Sequence, residues 1–119
     1  MKVKKLKDDI YKNLMWLVWD CEYNDYNQWL AKKFDVVPTI NSACSAEVSS
    51  MMSDNGDVAF VMWVSNLKKD SACYSDIHHE VNHLTFFALQ ACGVKIDADN
   101  TEVFCYYGDY LFKQVLDAI

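Results

Sequence analysis

The sequence predicts an α+β domain, a small three-stranded sheet packed on helices, and three patterns carry that prediction. Apolar runs at 14–21 and 58–64 suit covered strands, residues 43–52 alternate as a half-exposed strand does, and helical spacing returns after 24, 75 and 101. The order is strand, helix, strand, strand, helix, helix. With 119 residues, 52% of them hydrophobic, three glycines and one proline, the chain reads as one domain over 1–119, large enough for a single core. Its four Trp, seven Tyr and six Phe argue against disorder.

The chain opens with Lys2, Lys4, Lys5 and Lys7, followed at once by Asp8 and Asp9. This pattern suits a solvated turn or a flexible lysine-rich arm within residues 1–12. Leu14 to Cys21 is nearly continuous in apolar residues and rich in Trp and Val, the signature of a strand covered on both faces. From Asn24 or Asp25, helical spacing puts Tyr26, Trp29, Leu30 and Phe34 on one side. Lys32 and Lys33 suit the negative end of that helix, which stops before Pro38.

From Ala43 to Met52, Cys44, Ala46 and Val48 are apolar while Ser45, Glu47 and Ser49 are polar. Asp54-Asn55-Gly56 tolerates the positive φ of a tight turn, and Val58 to Val64 is apolar throughout. The two stretches therefore form a hairpin, its second arm central and its first nearer an edge. Ser75 or Asp76 can cap a helix running to Cys92, where Gly93 supplies a left-handed stop. A last helix runs from about Thr101 to Leu116, after an acidic loop with Asp97, Asp99 and Asn100.

The net charge is −6, and the eleven basic residues are all lysines. Without arginine there is no bidentate grip on phosphate or guanine, and an acidic domain repels a nucleic-acid backbone, so nucleic acid is not an expected partner. Five cysteines without a CxxC pair read as buried thiols of a reducing compartment. The apolar run at 14–19 is too short to span a bilayer, so no membrane partner is expected and the expected address is the cytoplasm.

All three histidines, His78, His79 and His83, fall within six residues, and His79-Glu80-Val81-Asn82-His83 is an HExxH sequence on a predicted helix. Spacing of i, i+4 stacks two imidazoles on one helix face with β-carbons about 5–6 Å apart, close enough to grip one zinc ion. Glu80 is turned about 100° from His79 and can reach a water at the metal, a general-base position. The competing reading is a buried helix whose histidines are satisfied by hydrogen bonds. His78 points off the metal face and suits a surface role or support behind the ligands.

A catalytic zinc needs a third protein ligand and an open fourth position. Glu102 is the leading candidate, because a helical hairpin through Gly93 to Asn100 could return it to the histidines. Asp99-Asn100-Thr101-Glu102 also fits a capping box, which would give Glu102 a structural task instead. Asp99, Asp109 and Cys105 are the other candidates. Helical spacing puts Glu102, Cys105, Tyr106, Asp109 and Lys113 on one face, where Tyr106 could donate to an oxyanion and Asp109 could support a ligating histidine. Packing for Tyr106, solvation for Asp109 and core burial for Cys105 are the plainer readings.

A carboxylate-bridged di-iron site would need a second Glu-x-x-His, and the 97–100 loop lacks the spacing of a calcium loop. Mononuclear iron also fits two histidines and a carboxylate, but the glutamate inside the motif favours zinc hydrolysis.

At His79 to His83, with Glu102 downstream, the sequence resembles the zincin metallopeptidases, and the glutamate makes it similar to their gluzincin branch. The resemblance covers Ser75 to Lys113, and the compact layout also looks like the short HExxH proteins carried by bacteriophages. It implies a minimal zincin with the HExxH helix under the sheet and a C-terminal helix carrying the third ligand. It further implies a zinc-dependent endopeptidase in which His79, His83 and Glu102 bind the metal and Glu80 activates water. Gluzincins commonly place an aspartate four residues after the glutamate ligand, where this chain has Tyr106.

The expected substrate is a peptide or flexible protein loop lying along the strand at 43–52, with Val48 or Ser49 as positions whose N–H faces outward. The rival reading is a catalytically silent, zinc-stabilised binding or inhibitory protein acting on a host or partner protein.

Overall fold

The computed structural model describes residues 1–36, 44–52 and 55–119. The described residues form β1 (Lys2–Lys7), β2 (Leu14–Trp19), α1 (Tyr23–Phe34), β3 (Ala46–Met52), β4 (Val58–Val64), α2 (Ser71–Ala91) and α3 (Thr101–Ala118). This is a small α+β fold around one mixed sheet of order β1-β2-β4-β3. β1 runs antiparallel to β2, β2 parallel to β4, and β3 antiparallel to β4.

The sheet has four strands where three are expected, because the lysine-rich start is a strand and not a free arm. β1 pairs with β2 from Lys2↔Trp19 to Lys7↔Leu14, and its lysines are exposed. Lysines on an edge strand discourage pairing with further chains, so their charge is compatible with the sheet. The turn that follows is built around a buried carboxylate. Asp8 is 0% exposed and accepts the backbone N–H groups of Ile10, Tyr11, Lys12 and Asn13 at 2.6–3.2 Å. That net of donors closes over Lys12 in a left-handed conformation, φ 62°.

Alternation along the strands divides the core into two. Met15, Leu17, Phe60, Met62 and Val64 face Ile77, Val81, Leu84 and Ala88 of α2 and Tyr107, Leu111 and Val115 of α3. On the other face, Val18, Val61 and Trp63 lie against Tyr26 and Leu30 of α1. There the Tyr26 ring stacks on Trp63 with centroids 5.3 Å apart and planes 11° from parallel. β2 and β4 are thus covered on both faces, as their apolar runs require, and β3 lies at the edge.

Helix boundaries shift for local reasons. α2 begins four residues before Ser75 because Asp70 is the cap, its carboxylate accepting the Cys73 N–H at 2.9 Å. α1 ends with Asp35 in the left-handed region, φ 52°. The stop at Pro38, the Ala43 start of the third strand and Asp54 of the expected turn lie outside the described residues. The cysteines depart from a uniformly buried set: Cys73 is buried, Cys21 and Cys44 are half-buried, and Cys92 and Cys105 are exposed. Among the described residues, no helix is long and apolar enough to cross a membrane.

Candidate metal centre

The orientation of α2 decides where its histidines point. Ile77, Val81, Leu84 and Ala88, a row at helical spacing, are at most 1% exposed against the sheet and α3. Successive residues turn by about 100°, so His79 and His83 emerge on the outer side, and both are exposed. Their Nε2 atoms lie 3.1 Å apart, with ring centroids at 4.8 Å and planes at 75°. Two donors on a tetrahedral zinc, each at about 2.0–2.1 Å, are separated by about 3.3–3.4 Å, so the pair needs to open only slightly to take an ion. The His83 ring also stacks on Phe87 at 6.0 Å, which restrains its rotamer. Exposure sets aside the reading of two satisfied core histidines.

Glu80 leaves α2 toward β3 and is half-buried. Burial pushes its carboxyl above the ordinary carboxylate range; the His83 and His79 imidazoles pull it down, Glu47 pushes it up, and the Val48 N–H pulls it down. That N–H belongs to the open edge of the sheet. Ser65 N–H donates to the Ser45 carbonyl at 2.8 Å in line with the β3–β4 register, so Ser45, Glu47 and Ser49 turn their backbone groups toward β4. The alternate residues Ala46, Val48 and Ser50 turn theirs outward. Of the two expected outward positions, Val48 is one and Ser49 is not.

α3 packs on a different flank of α2. The His78 ring meets Phe112 edge-on at 5.6 Å, and a Cβ built on Gly108 would lie 3.4 Å from Thr85 Oγ1. His78 thus carries the interhelical contact, while His79 and His83 face away from it. Glu102 lies six residues before Gly108, about 9 Å of helix rise toward the far end of α2. Among the described residues, no group of three His, Cys, Asp or Glu side chains is placed to hold a metal, so the histidine pair stands together and Glu102 is not joined to it.

The capping box does not form either. Asn100 is the N-cap of α3, with no side-chain cap bond, and its amide instead closes the preceding loop by accepting the Asp97 N–H and donating to the Lys95 carbonyl. Glu102 is exposed in the first turn. Tyr106 is 71% exposed, and Asp99, Cys105 and Asp109 are also exposed, so Cys105 is not a core thiol.

Glu47 and the Val48 N–H are the neighbours of Glu80 that the motif did not identify. Their signal was present in the alternation of the edge strand, but only its pairing with β4 and its packing against α2 bring them to the helix. Comparisons with family models, with curated proteins and with solved structures find no match.

Proposed function

We propose that this chain is a zinc-dependent peptidase of minimal zincin type, acting on an extended peptide or protein loop in the cytoplasm. The observation that carries the reading is the convergence of the His79 and His83 Nε2 atoms, 3.1 Å apart, beside a half-buried Glu80. Both are imidazole nitrogens, the donor chemistry zinc prefers, and they approach its tetrahedral spacing. Zinc, when bound, would polarise a carbonyl and acidify water near neutral pH; iron(II) suits the same donors less well given the adjoining glutamate. His79 and His83 would hold the ion.

Glu80 then acts as base toward water and returns the proton to the leaving amine. A carboxyl raised by burial is suited to both tasks, because catalysis is best when the pKa approaches the working pH. Tyr106, with its ring in solvent, is the proposed donor to the developing oxyanion. The outward backbone groups of Ala46 and Ser50 flank Val48, whose N–H serves Glu80, on the edge that would pair with substrate main chain, a mode of recognition that depends little on side chains. Five cysteines without a CxxC pair suit the reducing compartment.

The second reading is a catalytically silent zinc-stabilised protein that binds or inhibits a partner, and a closed site of four protein ligands would favour it. One experiment separates the two. Glu80→Gln should keep its zinc and lose cleavage of a peptide library by at least about a hundredfold, the scale of general-base loss. If the zinc-loaded wild type cleaves nothing, the silent reading replaces the peptidase.

A further inference from the structure

Apart from the histidine pair, a second concave surface lies at the start of α2, where the loop after β4 enters the helix. A cavity of about 460 Å³ opens there, within the range of small-molecule sites. Its apolar wall comes from Leu67, Phe112, Leu116 and Ile119, and Lys68 and Lys69 line the same opening. Neither lysine takes part in any ion pair formed among the described residues, although the chain carries a net charge of −6. Asp70, the next residue, caps α2 through the Cys73 N–H and forms no ion pair with either lysine.

An apolar cavity bordered by two adjacent cations is complementary to one kind of small molecule, an alkyl chain ending in an anion. We propose that this cavity binds a single-chain amphiphilic carboxylate, its tail against Phe112, Leu116 and Ile119 and its headgroup between Lys68 and Lys69. The site is independent of the histidine pair. Tyr74 and Phe112 line it, and Phe112 meets α2 through His78, on the flank away from His79 and His83.

The test is calorimetric titration of the full chain with decanoate, decanol and decyltrimethylammonium, each below its micelle concentration or solubility limit. Decanoate should bind saturably at one site, decanol about tenfold more weakly, as two partly exposed charge contacts allow, and the cation not at all. Octanoate should bind about fifteenfold more weakly than decanoate, because each buried methylene contributes about fourfold. Lys68→Gln/Lys69→Gln, both at exposed positions, should reduce decanoate to the level of decanol. Leu116→Trp should block decanoate, octanoate and decanol alike, with circular dichroism confirming that it remains folded. Equal decanoate affinity in the wild type and the double lysine variant would overturn the proposal, as would equal binding of the cationic amphiphile or absence of saturable decanoate binding.

Discussion

The hydroxyl of Tyr107 donates to the buried carboxylate of Asp8 at 2.8 Å and joins two residues 99 positions apart in the chain. Asn13 Nδ2 donates to the same tyrosine oxygen at 3.0 Å, so the turn between β1 and β2 is fastened to α3 by a shared network. Four backbone N–H groups complete the coordination of Asp8. This network holds the N-terminal edge of the sheet and the C-terminal helix to one core.

Asp8→Ala should therefore destabilise the protein by at least about 3 kcal/mol, since several buried donors lose their acceptor together. Tyr107→Phe removes one hydroxyl from the network and should cost about 1–2 kcal/mol. Urea unfolding monitored by tryptophan fluorescence measures both. A loss below about 1 kcal/mol for Asp8→Ala would show that the turn satisfies its donors in another way.

Gly108 is the point of close approach between α3 and α2. Its Cβ would meet Thr85 Oγ1 at 3.4 Å and Cγ2 at 3.6 Å, and the Thr85 hydroxyl is held by its bond to the Val81 carbonyl at 2.7 Å. Alanine fits at ordinary contact distance, so Gly108→Ala should gain about 0.5–1 kcal/mol from helix propensity. Gly108→Leu should force the helices apart and cost about 1–3 kcal/mol. Thermal unfolding of the pair gives the two signs, and destabilisation by alanine would contradict the packing described.

Asp20 joins β1 to the entry of α2. Its carboxylate pairs with Lys2 at 2.9 Å and accepts the Leu67 N–H at 3.0 Å, interactions that hold its pKa below the ordinary value of 3.8. A depressed folded pKa contributes stability that is present above the unfolded value and lost as pH falls through the folded one. Asp20→Asn should thus lower the thermal midpoint at pH 7 and narrow its difference from wild type below pH about 4, where the wild-type carboxylate becomes protonated. A difference that stays constant across this range would assign the effect to packing. The pair is exposed, so added salt should weaken it.

Much of this architecture was legible from the chain. The apolar runs of β2 and β4 identify covered strands because a sheet with helices on both faces leaves them no polar side, and the alternation of β3 identifies the edge. β1 was not legible: four lysines among its six residues mask a strand whose pairing depends on β2 rather than on its own burial. The early start of α2 was hidden because Asp70, Ser75 and Asp76 are all competent caps, and only tertiary packing of Cys73 and Ile77 selects the first. The histidine pair was legible because i, i+4 geometry is local. The relation of Glu102 to that pair depends on how two helices pack, and Gly108 against Thr85 sets this packing in a way spacing along the chain does not encode.

The edge of β3 gives a prediction with opposite outcomes at neighbouring residues. Ser50→Pro removes an outward N–H and should weaken peptide binding while the sheet and zinc content persist. Ser49→Pro removes a donor directed at β4 and should destabilise the fold by about 3 kcal/mol or more. Peptide affinity measured by fluorescence anisotropy, beside thermal unfolding, reads both. Unchanged affinity in a folded, zinc-loaded Ser50→Pro variant would remove β3 as the substrate platform.

The most direct test of the account is a competitive zinc titration against a chromophoric chelator, comparing wild type with His79→Ala, His83→Ala and Glu102→Gln. The account predicts one zinc per chain in the wild type, and at least about a hundredfold weaker affinity in each histidine variant, because removing half of a converged pair leaves one isolated imidazole. Glu102→Gln should leave the affinity within about twofold, because Glu102 is not joined to the histidine pair. Wild-type stoichiometry and affinity retained in the His79→Ala/His83→Ala double variant would contradict the central claim that these two imidazoles form the metal centre.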